Sequence, residues 1–204
     1  MSDGTEHINR TSREVSSRAR GESDVKVIGL SRRYEVPLAE LWEACTVAER
    51  ISRWVAPISG DLRLGGRYQI EGNAEGTIEE CVPQERIAVT WEYGGETSWV
   101  VATLAHEDDA ARLTVEHLAP GGAHWEEFGA GAGGIGWDLM LLGLQFHLQD
   151  SEFRGDPAWL GTDEGRALMA ASAEQWRLAQ IAGEQDEKAA NEAAVRCRQA
   201  YLGE

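Results

Sequence analysis

Four side chains near the middle of the chain are of types that move protons in enzymes: Glu79, Glu92, Glu116 and His117. A carboxyl group taken out of water has its pKa raised and can act as a general acid or base near neutral pH. The competing expectation for the three acids is the solvent face of a half-exposed sheet, where alternating carboxylates are ordinary. His117 shares its strand phase with Leu113 and Val115. It is therefore expected to face an interior, either as a satisfied core histidine or as a base. His106, His117 and His124 lack a tight metal-ligand arrangement. No nucleophile elbow, H-E-x-x-H helix or P-loop occurs. Residues 131–136 read G-A-G-G-I-G, a literal match to G-x-G-x-x-G. A dinucleotide site also needs a preceding strand, a βαβ unit and an acid about 20 residues on. Here the acidic run Trp125-Glu126-Glu127-Phe128 precedes it. The expectation is instead a flexible Gly129–Gly136 loop that lets the next helix approach a sheet, with Asp138 in that helix's first turn complementing the dipole. No residue is singled out as catalytic, and no cofactor or metal is expected.

Eight tryptophans, at 42, 54, 91, 99, 125, 137, 159 and 176, supply much aromatic surface for core or ligand. Trp54 ends a short helix, Trp91 and Trp99 fall on adjacent strands, and Trp137 opens a long helix. Strand residues alternate faces, so Trp91 and Glu92 cannot both point inward.

The elements that must position these groups follow from periodicity and turn residues. Residues 1–23 lack hydrophobic periodicity and are expected to be a disordered leader. Residues 25–36 alternate as a strand, with Ile28, Leu30, Tyr34 and Val36 on one face and Arg32 interrupting it. Pro37 starts a helix over Leu38–Cys45, and Thr46 with Glu49 has the spacing of a capping box for a second short helix. Strands are expected near 67–71, 76–82, 86–93, 97–105 and 111–118 as an antiparallel meander. A long apolar helix should run from Trp137 to Phe153. Residues 24–154 would form this domain, and 155–204 a helical extension. In the extension Thr162 or Asp163 caps one helix, Gly183 ends it, and a second helix runs from about Glu184 to Tyr201. That hairpin either packs on the domain or serves as a dimerisation arm.

Charge narrows the partners. The net charge is -16 from 19 basic and 35 acidic residues. Residues 1–22 balance four bases against four acids, so the acidity lies in the remainder. Such a surface repels phosphate backbones, which excludes nucleic acid as an expected partner. No run approaches the roughly 18 apolar residues of a membrane span. Cys45, Cys81 and Cys197 are widely spaced, which suits a reducing cytoplasm rather than a disulfide framework.

The run from Thr46 to Gly72, with Trp54 through Pro57 and D-L-R-L-G-G-R-Y at 61–68, carries a family likeness. So do Pro37 with Trp42, Thr90-Trp91 and Gly136-Trp137. Together they resemble the branch of the START-like (SRPBCC) superfamily typified by the homologue of the Hsp90 ATPase activator, over about residues 25–150. The resemblance implies an α+β helix-grip fold, a curved antiparallel sheet wrapped on a long C-terminal helix, here with a C-terminal helical hairpin. It also implies an internal cavity for an apolar or aromatic small molecule, for which Trp54, Tyr68, Trp91, Trp99, His117 and Trp137 are the candidate ligand-binding residues. Relatives include lipid-transfer domains, polyketide cyclases and the Hsp90 co-chaperone domain. Binding without defined catalysis is the first expectation. A cyclase-, aromatase- or hydrolase-like enzyme and a chaperone-assisting or protein-interaction module are the alternatives. The sequence shows no counterpart of the full eukaryotic activator's separate N-terminal domain, so Hsp90 stimulation is not expected of it.

Overall fold

The computed structural model describes residues 4–21, 23–150, 157–183 and 186–202. Within these, two compact units emerge: residues 1–30, 120–142 and 155–204 form one, and residues 31–119 and 143–154 the other. The division passes through a strand at Leu30/Ser31 and through the long helix at Leu142/Gly143.

The first unit holds α1 (Gly4–Asn9), β1 (Ser12–Arg20), the start of β2 (Ser23–Tyr34), α4 (Ala123–Phe128), the start of α5 (Gly131–Leu148), α6 (Pro157–Leu160), α7 (Asp163–Ala182) and α8 (Glu187–Leu202). The expectation of a disordered leader is corrected over most of its length. Ile8 and Val15 are buried, and α7 packs against both α1 and β1. The short apolar set Ile8, Val15 was too sparse to show a period, and only packing gives it a partner. Asp3 and Glu22 lie outside the described residues, as do Phe153 and Glu184.

The Gly/Ala-rich segment is also corrected: it is helix, not loop. Gly131–Gly136 forms the opening turns of α5. Each helical glycine costs about 1 kcal/mol relative to alanine. Close packing offsets this, because a Cβ on Gly134 would stand 2.2 Å from Cε2 of Trp176. Trp176 on α7 is buried, as are Ala190, Ala193 and Cys197 on α8. The hairpin of α7 and α8 thus packs on α5, with Thr162 capping α7 by accepting from the Gly165 amide.

The second unit holds the end of β2, α2 (Leu38–Thr46), α3 (Ala48–Ile51), β3 (Ile58–Gly60), β4 (Arg67–Ile70), β5 (Glu75–Val82), β6 (Arg86–Tyr93), β7 (Glu96–Glu107), β8 (Ala110–Pro120) and the end of α5. The capping box does not form: Thr46 is the last residue of α2 and its hydroxyl bonds back to the Trp42 carbonyl at 2.8 Å, while Val47 caps α3. The strands make one antiparallel sheet in the order β1-β2-β8-β7-β6-β5-β4-β3. Among the described residues no helix is long and apolar enough to cross a membrane.

Candidate functional site

Strand register decides which candidates meet. In β6 and β7 the pairs are Val89↔Val100, Thr90↔Trp99, Trp91↔Ser98 and Glu92↔Thr97. In β7 and β8 they are Trp99↔Leu118, Val100↔His117 and Val101↔Glu116. Directly paired residues share a face of the sheet. One face therefore carries Trp91, Ser98, Val100 and His117. It continues through Tyr68↔Gly76 on β4 and β5 and through Leu113 and Val115 on β8. Arg32, on the same face of β2, donates to Gln145 Oε1 of α5 at 3.1 Å. This is the inner, helix-facing side of the second unit.

The opposite face carries ion pairs beside the buried Ala88, Val101 and Leu118. Arg67 donates to both oxygens of Glu92, at 3.2 and 2.9 Å, and Arg112 pairs with Glu107. Trp99 and Glu116 share this outer face with Glu92. The expectation that Trp99 lines one pocket with Trp91 is therefore corrected, because their side chains leave opposite sides of the sheet. Glu92 is not a buried acid: its bond from Arg67 holds its pKa below the usual carboxylate value. Glu79 is exposed beside the irregularity between Ile78 and Glu80. An open outer-face groove of about 430 Å³ is bordered by Gln69, Glu75, Glu92 and Thr97. Its polar, acidic rim does not suit an apolar guest.

On the inner face the geometry is tighter. His117 Nε2 lies 2.8 Å from Ser98 Oγ, and Ser98 Oγ donates to the Trp91 carbonyl at 3.0 Å. The Trp91 and His117 rings stand 6.0 Å apart, tilted by 58°. Burial lowers the His117 pKa to about 4, so the imidazole is neutral at physiological pH. Tyr68 crosses β5 to donate to the Thr90 carbonyl at 2.7 Å, over Gly76, where any Cβ would strike that carbonyl. Burial raises the Tyr68 pKa, so its hydroxyl stays a donor. Trp54 donates its indole N–H to the Ala44 carbonyl of α2 at 3.0 Å, which fixes that ring at the edge of the helices. Trp137 belongs to the first unit. Sequence reasoning missed Ser98. Its signal was parity with Val100 across an alternating strand, which is readable only once one face is known.

The inner face is unevenly closed. On β7 and β8, Val100, Leu104, Leu113 and Val115 are buried. On β5 and β6, Ile78, Ile87, Val89 and Trp91 of the same face keep accessible surface. Among the described residues no group of three or more His, Cys, Asp or Glu could hold a metal ion.

The first unit holds a different polar cluster. Asp138 is wholly buried and receives Arg13 through Nη2 at 2.6 Å and Nε at 3.2 Å, Ser172 at 2.6 Å and Trp176 at 3.0 Å. Arg13 Nη1 also donates to the carbonyls of Ile8 and Thr11. Asp138 was expected in a first helical turn. It sits two turns into α5, because the helix begins at Gly131.

An antiparallel sheet gripping a long helix defines the helix-grip class of START-like domains. Within that class the match is specific: the profile of the family described as "Activator of Hsp90 ATPase homolog 1-like protein" covers residues 35–148, more than half of the chain, and the chain belongs to that family. CalU16 from Micromonospora echinospora is similar in its crystal structure (TM-score 0.67, 29% identity, 83% of this chain and 97% of that one) and in solution (0.69, 30%, 85% and 96%). Coverage of this extent reaches beyond residues 35–148. DynU16, a putative protein in the dynemicin biosynthetic locus, shares the fold at 22% identity and TM-score 0.53, over 60% of this chain and 47% of that one. So does MLL2253 from Mesorhizobium loti, at 19% identity and TM-score 0.55, over 62% of this chain and 99% of that one. No curated protein matches the chain.

Proposed function

We propose that the protein binds an apolar or aromatic small molecule against the inner face of its sheet. The observation that carries this reading is the accessible apolar wall of Ile78, Ile87, Val89 and Trp91, beside the buried stretch of Val100, Leu104, Leu113 and Val115 on the same face. Side chains left accessible on the core-facing side of a sheet are what a ligand would cover. Burying ~300 Å² of ligand would contribute about 7 kcal/mol gross at ~25 cal/mol per Å². Ordering costs reduce this toward micromolar affinity. That DynU16, of the same fold, belongs to a biosynthetic locus is in keeping with a small-molecule role. Trp54 and Tyr68 remain candidates for the site's margins, and a reducing cytoplasm suits the three free thiols. Native mass spectrometry of protein purified from its own host tests the reading. The expected result is a bound organic mass that leaves on denaturation, and ligand-free protein that also fails to take up naphthalene would end it.

A second reading, a cyclase-like or hydrolase-like enzyme, is favoured by one observation: His117 is a neutral imidazole on the inner face, bonded to Ser98. In this version Glu79, Glu92 and Glu116 have no part. Turnover of a supplied aromatic polyketide, abolished by His117→Gln with binding retained, distinguishes it from binding alone.

A further inference from the structure

The last turn of α5 meets α3 through a hydrogen bond that only a neutral imidazole can accept. We infer that Arg50 and His147 form a pH-sensitive latch, which holds the segment from α3 to Trp54 against α5 while His147 is neutral and releases it when His147 is protonated. The latch stands apart from the ligand-binding reading and needs no occupant of the inner face.

Arg50 lies in α3, and its guanidinium is engaged in three directions. Nη2 donates to Glu40 and Nη1 to Glu43 at 3.5 Å, both on α2. Nε donates to His147 Nε2 at 3.2 Å, in the last turn of α5. A ring nitrogen accepts only when it carries no hydrogen. This arrangement therefore requires the neutral Nδ1–H form of His147. One turn earlier the same helix approaches the chain again: a Cβ on Gly143 would stand 2.8 Å from the Trp54 carbonyl oxygen. Positions 143 and 147 are four apart and share a helix face. The segment from Arg50 to Trp54 thus rests on α5 at two neighbouring points, a tight backbone approach and a hydrogen bond.

Protonation removes the acceptor and sets an imidazolium against a guanidinium that two carboxylates of α2 hold in place. The Arg50 side chain is 20% exposed, so protons from solvent reach the contact, unlike the sealed Asp138. The described groups that act on the His147 ring divide by sign. Burial, Arg50 and Arg53 disfavour its cation, while Glu40 and Asp150 favour it. The carbonyl end of α5 favours it too. These favourable charges act through space, whereas the incoming proton occupies the atom that accepts from Arg50. The balance holds the His147 pKa below its ordinary 6.5. A ring whose cation is disfavoured in the closed state takes its proton on opening. The latch is therefore closed above about pH 6.5 and loosens as pH falls below it.

The test follows amide hydrogen exchange of the full chain by mass spectrometry, at about pH 7.5 and about pH 5.5, corrected for intrinsic exchange rates. One pH unit below the ordinary imidazole value, linkage limits the gain in opening to about tenfold. Residues 48–55 should exchange severalfold faster at the lower pH, up to that limit. His147→Gln keeps an accepting oxygen and takes up no proton, so it should hold these residues closed at both pH values. No acceleration in wild type overturns the latch. So does an acceleration that survives in His147→Gln, which would belong to a wider opening that exposes His117. Imidazole nitrogen shifts of the unmodified protein guard against a misfolded variant. They should report His147 as the Nδ1–H tautomer, titrating below 6.5, and Arg50→Gln should raise that titration point. The Nε2–H tautomer, or a titration point that ignores Arg50, overturns the latch as well.

Discussion

The two units place similar chemical groups in opposite circumstances. In the first, Asp138, Arg13, Ser172 and the backbone-bound His7 gather an acid, a base, a hydroxyl and an imidazole in one place. In the second, the inner face offers little beyond His117 and Ser98. The richer cluster is sealed: the Asp138 and Arg13 side chains are 0% and 3% exposed, and their hydrogen-bonding capacity is spent on one another and on neighbouring carbonyls. The sparser pair lies on the same face as apolar side chains that keep accessible surface. A concentration of catalytic residue types therefore marks a structural lock in this molecule, and accessibility beside an apolar wall marks the candidate site.

That contrast breaks most visibly at the lock. Asp138→Ala should leave Arg13 buried without its carboxylate and destabilise the fold by about 3–5 kcal/mol. Urea denaturation would show it, and a loss below about 1 kcal/mol would mean that water reaches the cluster. Trp176→Ala, which removes a buried ring and a bond to Asp138, belongs in the same range of about 3–5 kcal/mol. A smaller effect is expected from Gly134→Ala. Helix propensity favours alanine by about 1 kcal/mol, yet the new methyl meets the Trp176 ring, and overpacking costs about 1–3 kcal/mol. A net gain in melting temperature would show that α5 and α7 can separate slightly.

On the inner face the expected effect is one of pH. The folded pKa of His117 is lowered from 6.5 to about 4, so the fold favours the neutral ring. The unfolded chain binds a proton first as pH falls, and stability present above about pH 6.5 is lost progressively down to about pH 4. The loss is on the order of 3 kcal/mol at most. His147 is shifted the same way by burial and by Arg50, so the comparison must be made in a His147→Gln background. His117→Gln should flatten the curve between pH 6.5 and 4.5. An unchanged slope would show that His117 is more solvated than its surroundings indicate. Least affected should be the outer face, where Glu92→Gln is expected to leave both the denaturation midpoint and naphthalene uptake within error. A change in naphthalene affinity there would put the guest on the wrong side of the sheet.

Periodicity made the meander legible. Strands expected at 86–93 and 76–82 are found at Arg86–Tyr93 and Glu75–Val82, because alternation and turn residues are local properties. The hairpin of α7 and α8 was legible for the same reason, from apolar spacing and Thr162. What was not legible depended on partners distant in sequence. The glycines of α5 read as a loop because their conformational cost is local. The Trp176 ring that rewards them lies 42 residues away from Gly134. β1 and α1 read as disorder because Ile8 and Val15 gain their core only from α7. The alternation of Trp91 and Glu92 was certain from covalent geometry, but which of them faced the helix was not.

The sequence by itself determined the family and the antiparallel α+β class, since these rest on residue type and short-range spacing. Only the tertiary structure decided that Trp99 faces away from Trp91, that Ser98 bonds His117, and that Asp138 is a lock. Each of these is a matter of register or of packing between segments far apart in the chain. A shift of one residue in register reverses every side chain of a strand, and no local signal in the sequence carries that choice.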